Sequence, residues 1–137
     1  MKVLLDLNII IDVALKREPF TADSAQVWNA HTEGKFDGVL AATEITNVFY
    51  ILRRFVDGVT ALRTVDRCLR DFVIVPVGHA ELQSAATMPG KDFEDNVVIA
   101  CAATIAADYI VTRDTEGSAH SPVSAISPAA FILLLSE

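Results

Sequence analysis

Lys2-Val3-Leu4-Leu5-Asp6-Leu7-Asn8-Ile9-Ile10-Ile11-Asp12 reads as a strand that runs into an acid and then into a helix. Lys2 to Leu5 have strand character. From Asn8 onward the apolar residues Ile9, Ile10, Val13 and Leu15 recur at helical spacing, and Lys16-Arg17 and Pro19 close the run. Asp6 therefore stands where a strand ends and a helix begins, the position at which open α/β sheets bind their ligands. On this stretch alone a helix cap at Asp6 or Asn8 explains the residues equally well, because both side chains accept bonds from free backbone N–H groups. The balance tips because further acids occupy equivalent junctions later in the chain.

A length of 137 residues gives one domain, residues 1–137, able to bury roughly two thirds of its unfolded surface without disulfides or metals as staples. With 52% hydrophobic and only 7% aromatic residues, the core is built from Val, Ile, Leu and Ala, as a parallel sheet covered on both faces requires. The net charge of −7 argues against sequence-independent binding of nucleic acid through a broad basic surface. It leaves room for a metal-dependent nuclease, since bound divalent cations reverse the local sign of an acidic site. Cys68 and Cys101 lie in helical apolar patterns without metal-ligand spacing and read as reduced core residues. Asp6 and Asp12 interrupt any signal-peptide hydrophobic region, and no apolar run approaches the ~18 residues of a membrane span, so the expected location is cytoplasmic.

Along the chain, Thr21 is a candidate cap for a helix through Val27, Trp28 and Ala30 that stops near Gly34. Val39 to Ala42 read as a short buried strand. Thr43-Glu44 then opens a helix whose Ile45, Val48, Phe49 and Leu52 recur at i, i+3, i+4 and i+7. A helix containing Leu62, Val65, Cys68 and Leu69 follows Gly58, then a strand over Phe72 to Val77 and a short helix over Ala80 to Thr87. The loop Met88-Pro89-Gly90-Lys91 leads into Asp92-Phe93-Glu94-Asp95 at the start of a buried, Ala-rich helix extending to about Ala107. Asp108 to Thr112 form a fourth strand, Glu116 to Ser121 a surface loop, and Val123 to Ile126 a last strand. Ser127-Pro128, a cap with proline after it, starts the closing helix. Strands alternating with helices predict a three-layer α/β/α sandwich around a mostly parallel sheet of four to five strands.

Parallel strands place their carboxyl ends along one edge, which brings Asp6, Glu44 and Asp114 together there; the helix beginning at Asp92 can join them from the same edge. Crowded carboxylates raise one another's pKa values and destabilise the fold unless something neutralises them. A hard divalent cation such as Mg²⁺ or Mn²⁺ does so, and a cation held that way makes water acidic and polarises a phosphoryl oxygen, as phosphodiester cleavage requires. Asp92 and Asp95 divide the work: D-x-x-D at a helix start suits a cap at Asp92 and leaves Asp95 as metal ligand or water orienter, with Glu94 pointing elsewhere. The chain has no G-x-S-x-G, no Cys/His pair and no phosphate-binding glycine loop. His31, His79 and His120 fall on a helix surface, a helix start and a loop, none of them promising for catalysis.

Four motifs in order resemble the PIN-domain nucleases, in particular the single-domain toxins of bacterial toxin–antitoxin pairs. Asp6-Leu7-Asn8 through Asp12 is similar to the family's D-T-N-x-x-x-D, with Leu7 in place of Thr. Thr43-Glu44 before an apolar helix, Asp92-Phe93-Glu94-Asp95 before an Ala-rich helix, and Tyr109-Ile110-Val111-Thr112-Arg113-Asp114 resemble the other three. The resemblance covers the whole chain and implies a Mg²⁺- or Mn²⁺-dependent endoribonuclease acting on single-stranded RNA, often a homodimer, restrained by a small antitoxin. It implies that Asp6, Glu44 and Asp95 are the metal-binding and catalytic core, completed by Asp114, with Asn8, Asp92 and Thr112 in support. Many relatives carry Asp-Phe shortly after the fourth strand where this chain has Gly117-Ser118, so the acidic count at that edge rests on Asp114, with Glu116 as a substitute. Candidates for contacting substrate phosphates are Arg53, Arg54, Lys91 and Arg113, and a basic antitoxin tail would complement the acidic edge.

The rival from another class is a catalytically silent PIN-like module that binds RNA or protein. A phosphoryl-transfer domain would need a lysine ending a later strand or D-x-D after the first, and a Rossmann domain would need G-x-G-x-x-G; the chain has none of these.

Overall fold

Strand β1 (Lys2–Leu5) lies at the centre of the sheet because both its faces are wanted inside. Val3 and Leu5 enter one apolar cluster and Leu4 the other, all three without exposed surface. The computed structural model describes residues 1–137. After β1 come α1 (Leu7–Leu15), α2 (Thr21–Thr32), β2 (Asp37–Ala41), α3 (Ala42–Phe55), α4 (Gly58–Asp71), β3 (Val73–Val75), α5 (His79–Ala86), α6 (Phe93–Thr104), β4 (Tyr109–Val111), β5 (Ser124–Ile126) and α7 (Pro128–Leu135). The five strands are all parallel in the order β3-β2-β1-β4-β5, with Leu4 opposite Val39 on one side and Ile110 on the other. The predicted three-layer α/β/α architecture is the one observed.

Helices α1, α2, α3, α4 and α7 cover one face through Ile10, Trp28, Leu52, Cys68 and Phe131, among others; α5 and α6 cover the opposite face through Ala85, Val97 and Cys101. Both cysteines are free and buried, as expected, and burial pushes the Cys68 thiol up to about 12. No helix is long and apolar enough to cross a membrane.

Several element boundaries differ from expectation for local reasons. Strand β3 stops at Val75 because Pro76 has no N–H to continue the ladder. Strand β2 starts earlier, at Asp37, and gives up Ala42 to the helix. Thr21 is the first helical residue of α2 and its side chain caps nothing. Helix α6 ends at Thr104 rather than near Ala107, because Ala106 takes a left-handed conformation (φ 52°) and the Ala107 N–H turns back to the Ala102 carbonyl.

The chain runs from β1 outward to β2 and β3, then returns to build β4 and β5 on the other side of β1. The order in which strands are added therefore reverses between β1 and β4, and a crevice opens beyond their carboxyl ends.

Candidate active site

Asp6 follows β1 at that reversal. Its N–H continues the ladder to the Val111 carbonyl (2.9 Å), which fastens it between β1 and β4. Although Asp6 occupies the position before α1, its side chain makes no capping bond, so the capping explanation fails. The carboxylate instead receives Asn8 Nδ2 (3.1 Å) and Thr112 Oγ1 (3.2 Å), both on Oδ2. Thr112 Oγ1 in turn accepts the Asp114 N–H (3.1 Å), so one hydroxyl aligns the first and last acids. These bonds favour the charged form of Asp6, yet burial outweighs them and its pKa is raised.

Glu44, at the third position of α3, is 1% exposed. Its Oε1 accepts the Ala41 N–H (2.8 Å), closing the strand-to-helix turn, while Oε2 is buried without a well-formed hydrogen bond, the Leu7 N–H being the backbone donor near the carboxylate. An orphaned carboxylate oxygen in the interior is costly. Burial first, and then the charges of Asp6 and Asp95, hold the Glu44 carboxyl well above the usual range.

Asp92 caps α6 by accepting the Asp95 N–H (3.1 Å), the capping role expected of it. Asp95 stands half-buried at the rim, and burial together with Asp92, Asp6 and Asp114 pushes its carboxyl up to about 6. A narrow crevice joins Asp6 and Asp95 with Thr112 and Ser118. It continues into an open cleft of 350 Å³ that includes Lys91, Asp95, Asp114, Glu116 and His120. Thus Asp6, Glu44, Asp95 and Asp114 meet at one edge, as expected. No three of them converge to the spacing that would clasp a metal ion directly. The donor set is nevertheless that of a hard divalent cation: oxygen ligands only, proton affinities raised by burial and, at Glu44 and Asp95, by neighbouring acids, and one buried oxygen without a hydrogen bond.

The candidate cations divide differently from expectation. Arg113 is not available to a phosphate: its Nε lies 2.8 Å from Asp12 Oδ2 as a charge contact, its Nη2 donates to Asp12 Oδ1 (3.2 Å), and its guanidinium stacks on Phe20 at 3.9 Å. Arg53 and Arg54 are exposed at the far end of α3, about 14–15 Å along the helix axis from Glu44, so the helix carries them away from the acids. Only Lys91 lines the cleft.

Sequence reasoning missed His120 and Ser118, because the 116–121 segment reads as an unpatterned polar loop. Ser118 is buried against the crevice. His120 Nε2 lies 3.1 Å from Asn96 Oδ1; the Asn96 amide nitrogen already donates to the Gly90 carbonyl (2.9 Å), so its oxygen accepts and His120 Nε2 carries a proton. No local signal in the sequence marks that bond, which joins residues 24 positions apart. His31 is likewise no free surface group: Gly38 N–H donates to its Nδ1 (2.9 Å), and its ring stacks on Phe72.

A family model for the PIN domain matches residues 2–116. Ribonuclease VapC1 of Aquifex aeolicus (strain VF5) is 30% identical over 126 residues, 88% of this chain and 85% of that protein. Among solved structures, Mycobacterium tuberculosis VapC20, described as a Sarcin-Ricin loop cleaving toxin, superposes with a TM-score of 0.72 at 10% identity over 86% of this chain and 94% of that one. VapBC2 from Rickettsia felis, bound to a promoter DNA fragment, gives 0.69 at 12% identity over 93% and 98%. A toxin–antitoxin complex from Klebsiella pneumoniae gives 0.69 at 18% identity over 92% and 97%.

Proposed function

The chain belongs to the PIN-domain family, and from that premise we propose that it is a Mg²⁺- or Mn²⁺-dependent endoribonuclease that cuts single-stranded RNA, acting as one domain over residues 1–137. The observation that carries this reading is Glu44: a carboxylate 1% exposed, one oxygen unpartnered, facing two further acids whose proton affinity is also raised. A buried acid left in this state beside two others is a site suited to an arriving positive charge. Asp6, Glu44 and Asp95 would hold the ion, with Asp114 completing the set.

A bound divalent cation supplies positive charge for the phosphoryl oxygens and makes water acidic enough to attack near neutral pH. The protein's own residues do the rest. Asn8 and Thr112 hold the Asp6 carboxylate in one orientation, so the ion's position is set before substrate arrives. Asp95, half in solvent and lining both the crevice and the open cleft, is placed to hold or orient a water there. Lys91 places a positive charge beside the cleft for the backbone of the incoming strand.

The same reading includes a homodimer and restraint by a small antitoxin. Support comes from the exposed apolar side chains Tyr50, Phe55, Val59 and Leu62 on α3 and α4, a surface suited to covering by protein, and from the net charge of −7, which complements a basic antitoxin tail.

Purified protein incubated with single-stranded RNA and Mg²⁺ or Mn²⁺ is expected to cleave it, with EDTA abolishing cleavage and Asp95→Asn lowering it about 100-fold or more. A folded wild-type protein that neither cuts RNA nor binds Mn²⁺ overturns the reading in favour of a silent binding module.

A further inference from the structure

Gly117 follows Asp114 by three residues, and its N–H donates to Asp114 Oδ1 (2.9 Å). Its backbone angles lie outside the left-handed region, so an ordinary side chain meets no conformational penalty there. Space is another matter. A Cβ built on Gly117 stands 2.3 Å from Asp114 Oδ2, 2.9 Å from Cγ and 3.2 Å from Oδ1. All three contacts are with one carboxylate, and none is with the backbone. The Asp114 carboxylate therefore lies directly over a bare α-carbon, held there by the amide of the same residue, with its other end fastened through the Asp114 N–H to Thr112 Oγ1.

We propose that Gly117 is a positioning residue for the site: its lack of a side chain and its N–H together keep the Asp114 carboxylate in the acidic cleft, so that residues 114 and 117 cannot both carry side chains in this arrangement. The inference rests on the metal-site reading above and deepens it. It also reassigns Gly117 from the place of a lost acid to the seat of the acid that remains.

Mn²⁺ binding, measured by calorimetry on the full chain, tests this in a double-mutant cycle, with thermal unfolding recorded beside it. Gly117→Ala is expected to weaken Mn²⁺ about tenfold and to reduce RNA cleavage similarly, the loss typical of misaligning a metal-site carboxylate, while the unfolding midpoint without metal stays at the wild-type value. Asp114→Ala is expected to match that loss, and Gly117→Ala added to Asp114→Ala to do nothing more, since no carboxylate is left to displace. A purely structural glycine would lower the midpoint in both backgrounds, and that result overturns the proposal. So does wild-type Mn²⁺ affinity in Gly117→Ala. If wild-type protein itself fails to bind Mn²⁺, the nuclease reading falls and this inference with it, an outcome distinguishable from the others before any variant is made.

Discussion

Asp6 and Glu44 both sit where helices begin, and neither carboxylate is spent on the helix alone: Asp6 takes side-chain donors, and Glu44 closes the turn at Ala41 with Oε1 while Oε2 stays without a hydrogen bond. The consequence is a cost that the fold carries at each residue when no cation is bound. Because burial raises the Glu44 pKa well above its ordinary 4.5, the folded protein binds that proton more tightly than the unfolded chain does. Stability from this group is thus complete below the unfolded pKa and is lost as pH rises through the raised one. Glu44→Gln copies the protonated shape and keeps an oxygen for the Ala41 N–H. It should therefore raise the metal-free unfolding midpoint at pH 8 by roughly 3–6 °C, the shift that about 1 kcal/mol produces in a chain of this size, and abolish Mn²⁺ binding. Differential scanning calorimetry in EDTA reads the first effect; a midpoint below wild type would mean that Glu44 is an internal acceptor and nothing more.

Among the elements, the tie between β4 and α1 is the least visible in the sequence. Arg113, just past β4, reaches across to Asp12 in the middle of α1, where the carboxylate is 0% exposed and also accepts Ser24 Oγ (3.2 Å) from α2. Breaking such a pair leaves a bare buried charge, so Arg113→Met should cost about 3–5 kcal/mol in urea denaturation, and Asp12→Asn combined with Arg113→Met should recover most of it. The partners lie 101 residues apart, and no periodicity points from one to the other, which is why Arg113 read as a phosphate contact. Arg53 and Arg54 were misplaced for a different reason: a cation count ignores the helix that carries them away from Glu44. By contrast, the strand-to-acid-to-helix junctions were legible because alternation in a buried parallel sheet is written in runs of Val, Leu, Ile and Ala. In such a sheet the residue after each strand must emerge at a common edge. Asp6, Glu44 and Asp114 followed from that rule. Ser118, His120 and the bare seat at Gly117 did not, since they depend on how one irregular loop packs.

At the scale of the molecule, three raised carboxyl groups at one edge make metal-free stability fall with pH. The Asp95 part is lost between its unfolded value of 3.8 and its folded value of about 6, and the Glu44 part falls at higher pH; half exposure and screening hold the Asp95 share to about 1 kcal/mol. A net charge of −7 makes the same qualitative prediction through general repulsion, and salt separates the two causes. Repulsion spread over the surface is screened by any electrolyte within a Debye length of about 10 Å at 0.1 M. Crowding in a water-poor crevice is relieved only by an ion that enters it. At pH 8, therefore, NaCl should restore little of the unfolding midpoint lost since pH 5. Mn²⁺ at about 100 times its dissociation constant, at the same ionic strength, should add about 2.7 kcal/mol, and Asp95→Asn should lose most of that gain. If NaCl matches Mn²⁺, the acids act only through overall charge, and the edge of the sheet is not a cation site.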